Sequence, residues 1–199
     1  KAGVAFPHDC RVGSCGSCAC KLTSGKIKAT ADFSYVLDGE QIKDGMILAC
    51  QSRAKTPLSI DVEIDSDAKA SATKSYTGVV NKVTPLTHDI MELTIGVDGL
   101  EHNGAAGQYS ELMVKQVGTS RSYSFAKAPQ NENPNELSFF IRNVPKGRFS
   151  KWLFDKDPTG QKLEVKTPFG SFYYRDGKGP MVCIAGGSGM SAVKAVLEQ

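Results

Sequence analysis

The chain has 199 residues, 40% of them hydrophobic and 23% charged, with a formal net charge of +3. That composition is ordinary for a globular protein, and the length suits one or two domains. The charge is too small to argue for nucleic acid, and no apolar stretch approaches the roughly 20 residues of a membrane-spanning helix.

No secretory signal opens the sequence, which therefore reads as cytoplasmic. Lys1 stands first in place of Met, and Gln199 falls in a helix that has barely begun, so both ends read as cut. Residues 1–64 form a first block. Four of the six cysteines crowd into Cys10 to Cys20. In a chain without a secretory signal, such crowding favours a metal site over disulfides. The spacing Cys10, Cys15, Cys18 and then a distant Cys50 is the plant-type arrangement that holds a [2Fe–2S] cluster. One tight loop supplies three thiolates and a second segment closes the far side. Gly13, Ser14, Gly16 and Ser17 are small enough to bring backbone N–H groups to the sulfurs of an anionic cluster, and Arg11 adds positive charge. The rivals are zinc, whose structural ligands usually come as two close pairs, and plain structural cysteines. Cys20 reads as a bystander, and Cys183 as a small core residue.

After the cysteine loop, Ala19–Thr23 and Lys26–Lys28 flank Ser24-Gly25, a hairpin signal. Leu58, Ile60, Val62 and Ile64 alternate with polar residues, predicting a strand that closes a small sheet. Residues 65–75 are polar and rich in Ala, Ser and Lys, and read as a linker. Residues 76–176 read as an antiparallel barrel or sandwich with one short helix. Met91, Leu93, Ile95 and Val97 alternate cleanly. Further strands are predicted at Gln108–Lys115, Arg121–Ala126, Glu136–Val144 and Leu163–Thr167. The helix follows a capping Ser150 and carries Trp152, Leu153 and Phe154. From residue 177 the pattern changes: Met181–Ala185 predicts a buried parallel strand, a Gly-rich turn follows, and Met190–Gln199 is helical in character. The three histidines, His8, His88 and His102, fall in polar loops without ligand spacing, and no catalytic triad or carboxylate pair stands out.

Phe6-Pro7-His8-Asp9-Cys10 through Cys20 resembles the ferredoxin half of the ferredoxin-fused flavin reductases that serve bacterial oxygenases. The resemblance runs over nearly the whole chain in the right order. It implies a multidomain fold: a partial β-grasp ferredoxin of the α+β class over 1–64, an antiparallel flavin-binding β-barrel over 76–176, and the start of an α/β nicotinamide-binding domain over 177–199. Only nine residues precede Cys10, so the first strands of the family's ferredoxin are absent.

Arg121-Ser122-Tyr123-Ser124 resembles the family's flavin signature, R-x-Y-S. A guanidinium presents a donor fork that suits phosphate, Tyr123 can pack on the isoalloxazine, and Ser124 can hydrogen-bond the flavin edge. Phe140-Ile141-Arg142-Asn143 resembles the next flavin-contact strand, with Ile141 and Arg142 as its site residues. Gly147, Phe149 and Ser150 resemble the phosphate turn that follows, where a helix N-terminus offers free N–H groups. Gly107-Gln108-Tyr109 resembles a scaffold strand. Gly187, Ser188 and Gly189, after a strand and before a helix, resemble the turn that seats the nicotinamide.

The implied cofactors are a [2Fe–2S] cluster and FAD, or FMN as in some relatives, with NADH or NADPH as electron donor. The implied activity passes electrons from the nicotinamide through flavin to the cluster and on to a terminal oxygenase or hydroxylase, a membrane-bound one included. The flavin accepts a hydride and releases electrons singly; the cofactors carry the chemistry. Two alternatives remain at this point: the same architecture serving a deoxysugar-forming dehydratase, and a non-catalytic fragment that binds metal alone.

Overall fold

The computed structural model describes residues 6–64, 73–101, 104–128, 133–175, 177 and 179–199. It divides into two units, Lys1–Ala70 and Ser71–Gln199.

In the first unit, β1 (Ala19–Ser24) follows the cysteine loop, and β2 (Ile27–Ala29) comes next. A single helical turn at Phe33–Tyr35 leads to α1 (Gly39–Lys43), then β3 (Met46–Leu48), a second single turn at Ala49–Gln51, β4 (Ser52–Ala54) and β5 (Ser59–Asp61). Helix α1 buries nothing, so its ends matter. Asp38 Oδ1 accepts from Glu40 N and Gln41 N, and Gln41 Oε1 accepts from Asp38 N, a complete capping box. The core is small: Cys18, Cys20, Phe33, Leu37, Ile47 and Leu48.

Two expectations for this unit are corrected. The segments either side of Ser24-Gly25 do not pair with each other. β1 is the central strand, with β3 on one edge and β5 on the other, so both its hydrogen-bonding edges are filled. β2 turns away and pairs with β4 in a separate ribbon. The strand expected over Leu58–Ile64 forms a ladder only at Ser59–Asp61, where Ile60 lies opposite Leu22. Ile60 and Ile64 are 36% and 49% exposed, while Val62 between them is partly buried against the core of the unit.

The second unit is a barrel. Its strands are β6 (Lys74–Pro85), β7 (Ile90–Val97), β8 (Tyr109–Met113), β9 (Ser120–Ser124), β10 (Glu136–Arg142) and β11 (Lys162–Phe169). They lie in the order β10-β7-β6-β11-β8-β9, antiparallel throughout. Just past β9, a Phe125–Phe139 bridge and a bond from Ala126 N to Ser138 O reach β10 and nearly close the sheet on itself. Alternation decides which side chains go in: Leu93, Ile95, Val97, Leu112, Phe139, Ile141 and Val165 are fully buried. Phe139→Ala is expected to cost about 3–5 kcal/mol of stability, as large-to-small changes in packed cores do. A denaturant melt followed by intrinsic fluorescence measures it.

Three boundaries differ from the sequence reading. Of the predicted linker, residues 65–72 lie outside the described residues, while Lys74 and Ser75 already pair with Thr167 and Lys166 in the barrel. Helix α2 (Arg148–Asp155) is capped by Gly147, not Ser150. Ser150 sits in the first turn, and its hydroxyl donates back to the carbonyls of Gly147 (3.2 Å) and Val144 (3.3 Å) and accepts from Val144 N (3.2 Å). It braces the loop entering the helix. Residues 181–185 form no ladder; Val182 and Ile184 are 82% and 90% exposed, and Cys183 is exposed too, not a core residue. A parallel strand needs neighbours to take its backbone groups and cover its faces, and among the described residues none lies beside it. The Gly-rich turn at 187–189 and helix α3 (Met190–Leu197) do form, with Ser191 and Ala195 buried against the barrel.

Candidate functional site: a cysteine loop and an arginine-lined cleft

The cysteine loop is shaped by the ladder that follows it. Cys18 immediately precedes β1 and Cys50 follows β3. Pairing of Ala19 with Leu48 continues as a bond from Ala49 N to Cys18 O at 3.1 Å, which draws Cys50 to Cys18. Within the loop, Cys10 Sγ accepts from Val12 N at 3.5 Å and Ser14 N at 3.4 Å. Burial alone would push the Cys10 thiol up, but hydrogen bonds from Ser14, Val12 and Cys15 outweigh it and hold it down at about 6. Burial, with Cys50 and Cys15 close by, pushes the Cys18 thiol up to about 11.

The four predicted ligands therefore come together: Cys10 lies near Cys15, and Cys18 near both Cys50 and Cys15. Among the described residues, no three ligating side chains form a ready cage for one ion. Four converging thiols are the donor set that a rhombic diiron cluster would need, two thiolates to each iron. Cys20, 2% exposed, faces the core of the unit from within β1.

One residue that shapes the loop, Gln51, escaped the sequence reading. Gln51 donates to Arg11 O at 3.1 Å and lies 3.8 Å from Cys50 Sγ. It packs so closely that a Cβ on Gly13 (φ +75°) would fall 2.8 Å from its Cγ. Ser17 Oγ donates to Asp9 Oδ2 at 2.5 Å, tying the two ends of the loop. The position of Gln51 directly after a ligand was the only signal for it.

On the barrel, a cleft of ≈ 460 Å³ is lined by Arg121, Ser122, Tyr123, Arg142, Gly147, Phe149, Ser150 and Ser188 from the predicted set. Of the rest, Ile141 is fully buried in the barrel core, and Ser124, Gly187 and Gly189 do not line the cleft. The cleft adds Val144, Pro145, Lys146 and Arg148, which sequence reasoning did not single out. The run Lys146-Gly147-Arg148 was the available signal, since with Arg121 and Arg142 it puts four cations around one hollow.

The chain makes this hollow by two local devices. Lys146 holds φ +63°, a strained value for a side-chain-bearing residue of the kind found at ligand-binding turns. Gly147 follows, where a Cβ would stand 2.5 Å from Ser150 Oγ and 2.9 Å from Val144 O. The first N–H groups of α2 thus open at the cleft wall. The floor is aromatic: Tyr123 packs on Phe149 at 5.1 Å between ring centroids, and Phe149 on Trp152 at 5.1 Å. Burial pushes the Tyr123 phenol well above its usual range, in spite of nearby Arg121, so it stays neutral. Tilted aromatic rings with cations and helix N–H groups at their edge suit a ring system carrying phosphates.

The Gly-rich turn reaches the same cleft through Ser188. Ser191 Oγ accepts from Phe140 N at 3.3 Å, which docks the start of α3 on β10.

A flavin-type barrel cleft on one unit and a four-thiol loop on another define an iron–sulfur flavoprotein. Residues 1–55 match the 2Fe-2S iron-sulfur cluster binding domain, and residues 77–174 match the oxidoreductase FAD-binding domain. The chain is 37% identical to the xylene/toluene monooxygenase electron transfer component XylA of Pseudomonas putida, over 98% of this chain and 55% of that protein. It is 31% identical to the CDP-6-deoxy-L-threo-D-glycero-4-hexulose-3-dehydrase reductase of Yersinia pestis, over 99% of this chain and 58% of that one. Among solved structures, the Amycolatopsis cytochrome P450 reductase GcoB superposes with a TM-score of 0.74 at 30% identity, covering 98% of this chain and 59% of that one. The chain thus spans a little over half the length of these relatives. Its two matched domains imply a [2Fe–2S] cluster and FAD as cofactors.

Proposed function

We propose that this chain is the cluster- and flavin-bearing part of a reductase that carries electrons from NADH or NADPH to a terminal oxygenase, which hydroxylates an aromatic or alkyl substrate. The observation that carries the reading is the cleft in which Arg121, Tyr123, Gly147 and Phe149 meet, on the same chain as the paired thiols of Cys10, Cys15, Cys18 and Cys50. When bound, FAD takes up two electrons as hydride and the cluster takes them one at a time.

The residues supply binding and orientation. Arg121 and the N–H groups opening α2 hold the phosphates. Tyr123 and Phe149 give the apolar floor against which a flat ring lies, and the neutral Tyr123 phenol adds no charge there. Ser188 brings the Gly-rich turn to the cleft rim, where glycines let a nucleotide approach the backbone closely. At the cluster, Val12 N and Ser14 N hold negative charge on the Cys10 sulfur.

No helix of the described residues is long and apolar enough to cross a membrane. The thiols are free, which suits a reducing compartment, and we place the protein in the cytoplasm. A membrane-bound client remains within this reading. The dehydrase reductase among its relatives supports a second one, in which the client is a deoxysugar-forming dehydratase.

The test is reconstitution. The chain loaded with iron, sulfide and FAD is mixed anaerobically with NADH or NADPH and with a candidate oxygenase or dehydratase. Bleaching of the flavin band, followed by reduction of the client that Cys50→Ser abolishes, is the expected result. A flavin band untouched by either nucleotide would remove the donor side of the proposal. Reduction of the dehydratase alone would replace its client.

A further inference from the structure

The turn between β6 and β7 carries a carboxylate with no part so far in the functional reading. Asp89 Oδ2 accepts from Arg142 Nε at 2.7 Å, and its backbone carbonyl accepts from Asn143 N at 2.7 Å. Its Oδ1 accepts from the Thr87 hydroxyl at 3.0 Å, and Thr87 Oγ1 accepts from Asp89 N at 3.3 Å. His88 Nε2 stands 3.8 Å from Oδ1. Leu86 N and Thr87 N bond to Ile90 O at 2.9 and 3.1 Å, so the turn is itself anchored to β7. The carboxylate is held in place from several sides before it meets the arginine. The hydrogen bond from Arg142 keeps the Asp89 carboxyl below its usual range, so the pair is charged at neutral pH.

Arg142 stands at a seam. It lines the cleft together with Arg121, Lys146, Arg148 and Ser188. A Cβ on Gly187 would meet Arg142 Nη1 at 4.0 Å, which puts the guanidinium beside the Gly-rich turn as well. The bond to Asp89 uses Nε, on the stem side of the guanidinium, and the two Nη groups form the fork that suits phosphate oxygens. An arginine side chain loses much rotamer freedom on binding a ligand, and a partner that fixes it beforehand lowers that cost.

We infer that Asp89 is a positioning residue for FAD: it fixes the Arg142 guanidinium at the cleft so that its fork meets the phosphates without reorganisation. The inference rests on the flavin reading of the cleft. Asp89 is an anion near a site for an anionic ligand, so its charge alone would weaken binding. If positioning dominates, removing the carboxylate weakens FAD binding; if charge dominates, it tightens it.

The experiment titrates FAD into the deflavinated chain and follows flavin fluorescence, for Asp89→Asn, Arg142→Ala, the double variant and Arg121→Ala. Asparagine keeps an oxygen for Thr87 but turns a donor toward Arg142 Nε. The expected result is FAD binding weakened about two- to tenfold by Asp89→Asn, the cost of one side chain left mobile, and no weakening by it when Arg142 is already alanine. Asp89→Glu restores part of the loss. Unchanged or tighter binding by Asp89→Asn overturns the inference. So does an equal loss in the Arg142→Ala background, which would make Asp89 a brace of the fold alone. Arg121→Ala separates the two levels. If it weakens binding while Asp89→Asn does not, only the positioning role fails; if it too leaves FAD affinity unchanged, the flavin reading of the cleft fails and the inference with it.

Discussion

Cys15→Ser is expected to strip the chain of its iron and acid-labile sulfide while leaving FAD bound at full stoichiometry. The thiolate is the metal ligand, and a serine hydroxyl does not ionise in its place near neutral pH. Cys15 lies beside Cys10 at the exposed face of the loop, and its loss would leave the proposed cluster one thiolate short. The flavin cleft belongs to the other unit, with its own core, so it has no reason to follow. Cys20→Ala is the control, because Cys20 faces the core of its unit and a full cluster should form without it. Iron and sulfide analysis with the visible spectrum reads both results. A cluster retained in Cys15→Ser, or lost in Cys20→Ala, would reassign the ligands.

Arg121→Ala is expected to weaken FAD binding by about 1.5–3 kcal/mol, the range for a hydrogen bond to a charged group, or about 10- to 150-fold in Kd. Lys146 and Arg148 remain in the cleft, so binding should be weakened without being abolished. Arg121→Lys keeps the charge but not the planar fork and should fall between the two. The melting temperature of the deflavinated chain should hardly change, because Arg121 is exposed at the cleft mouth. An affinity equal to that of the unaltered chain in a fluorescence titration would exclude Arg121 from the phosphate site.

The barrel was legible in its strands because period-2 alternation maps directly onto inside and outside: Leu93, Ile95 and Val97 needed no further information. The same rule found the edge strand within Leu58–Ile64 but overstated its length, and it failed at Met181–Ala185. There the pattern of apolar residues is present, but a strand also needs a partner edge and a covering layer, which lie elsewhere in sequence. The hairpin expected at Ser24-Gly25 failed for a related reason. Turn chemistry is local, whereas β1 is claimed on both edges by β3 and β5. The cap of α2 was misplaced by three residues because Ser150 has the right chemistry for an N-cap, yet Gly147 has the room that the loop requires.

The sequence by itself determined the chemistry of the two redox sites. Cluster ligation needs cysteines at fixed spacing, and phosphate and ring binding need arginine, glycine and aromatic residues in short motifs, so these are written within a few residues of one another. Tertiary structure alone decided what those motifs meet. The β1–β3 ladder brings Cys50 to Cys18, Gln51 closes on the loop, and Asp89 reaches Arg142 across the barrel edge. Each of these joins residues far apart in the chain, and only the register of paired strands fixes which of them become neighbours.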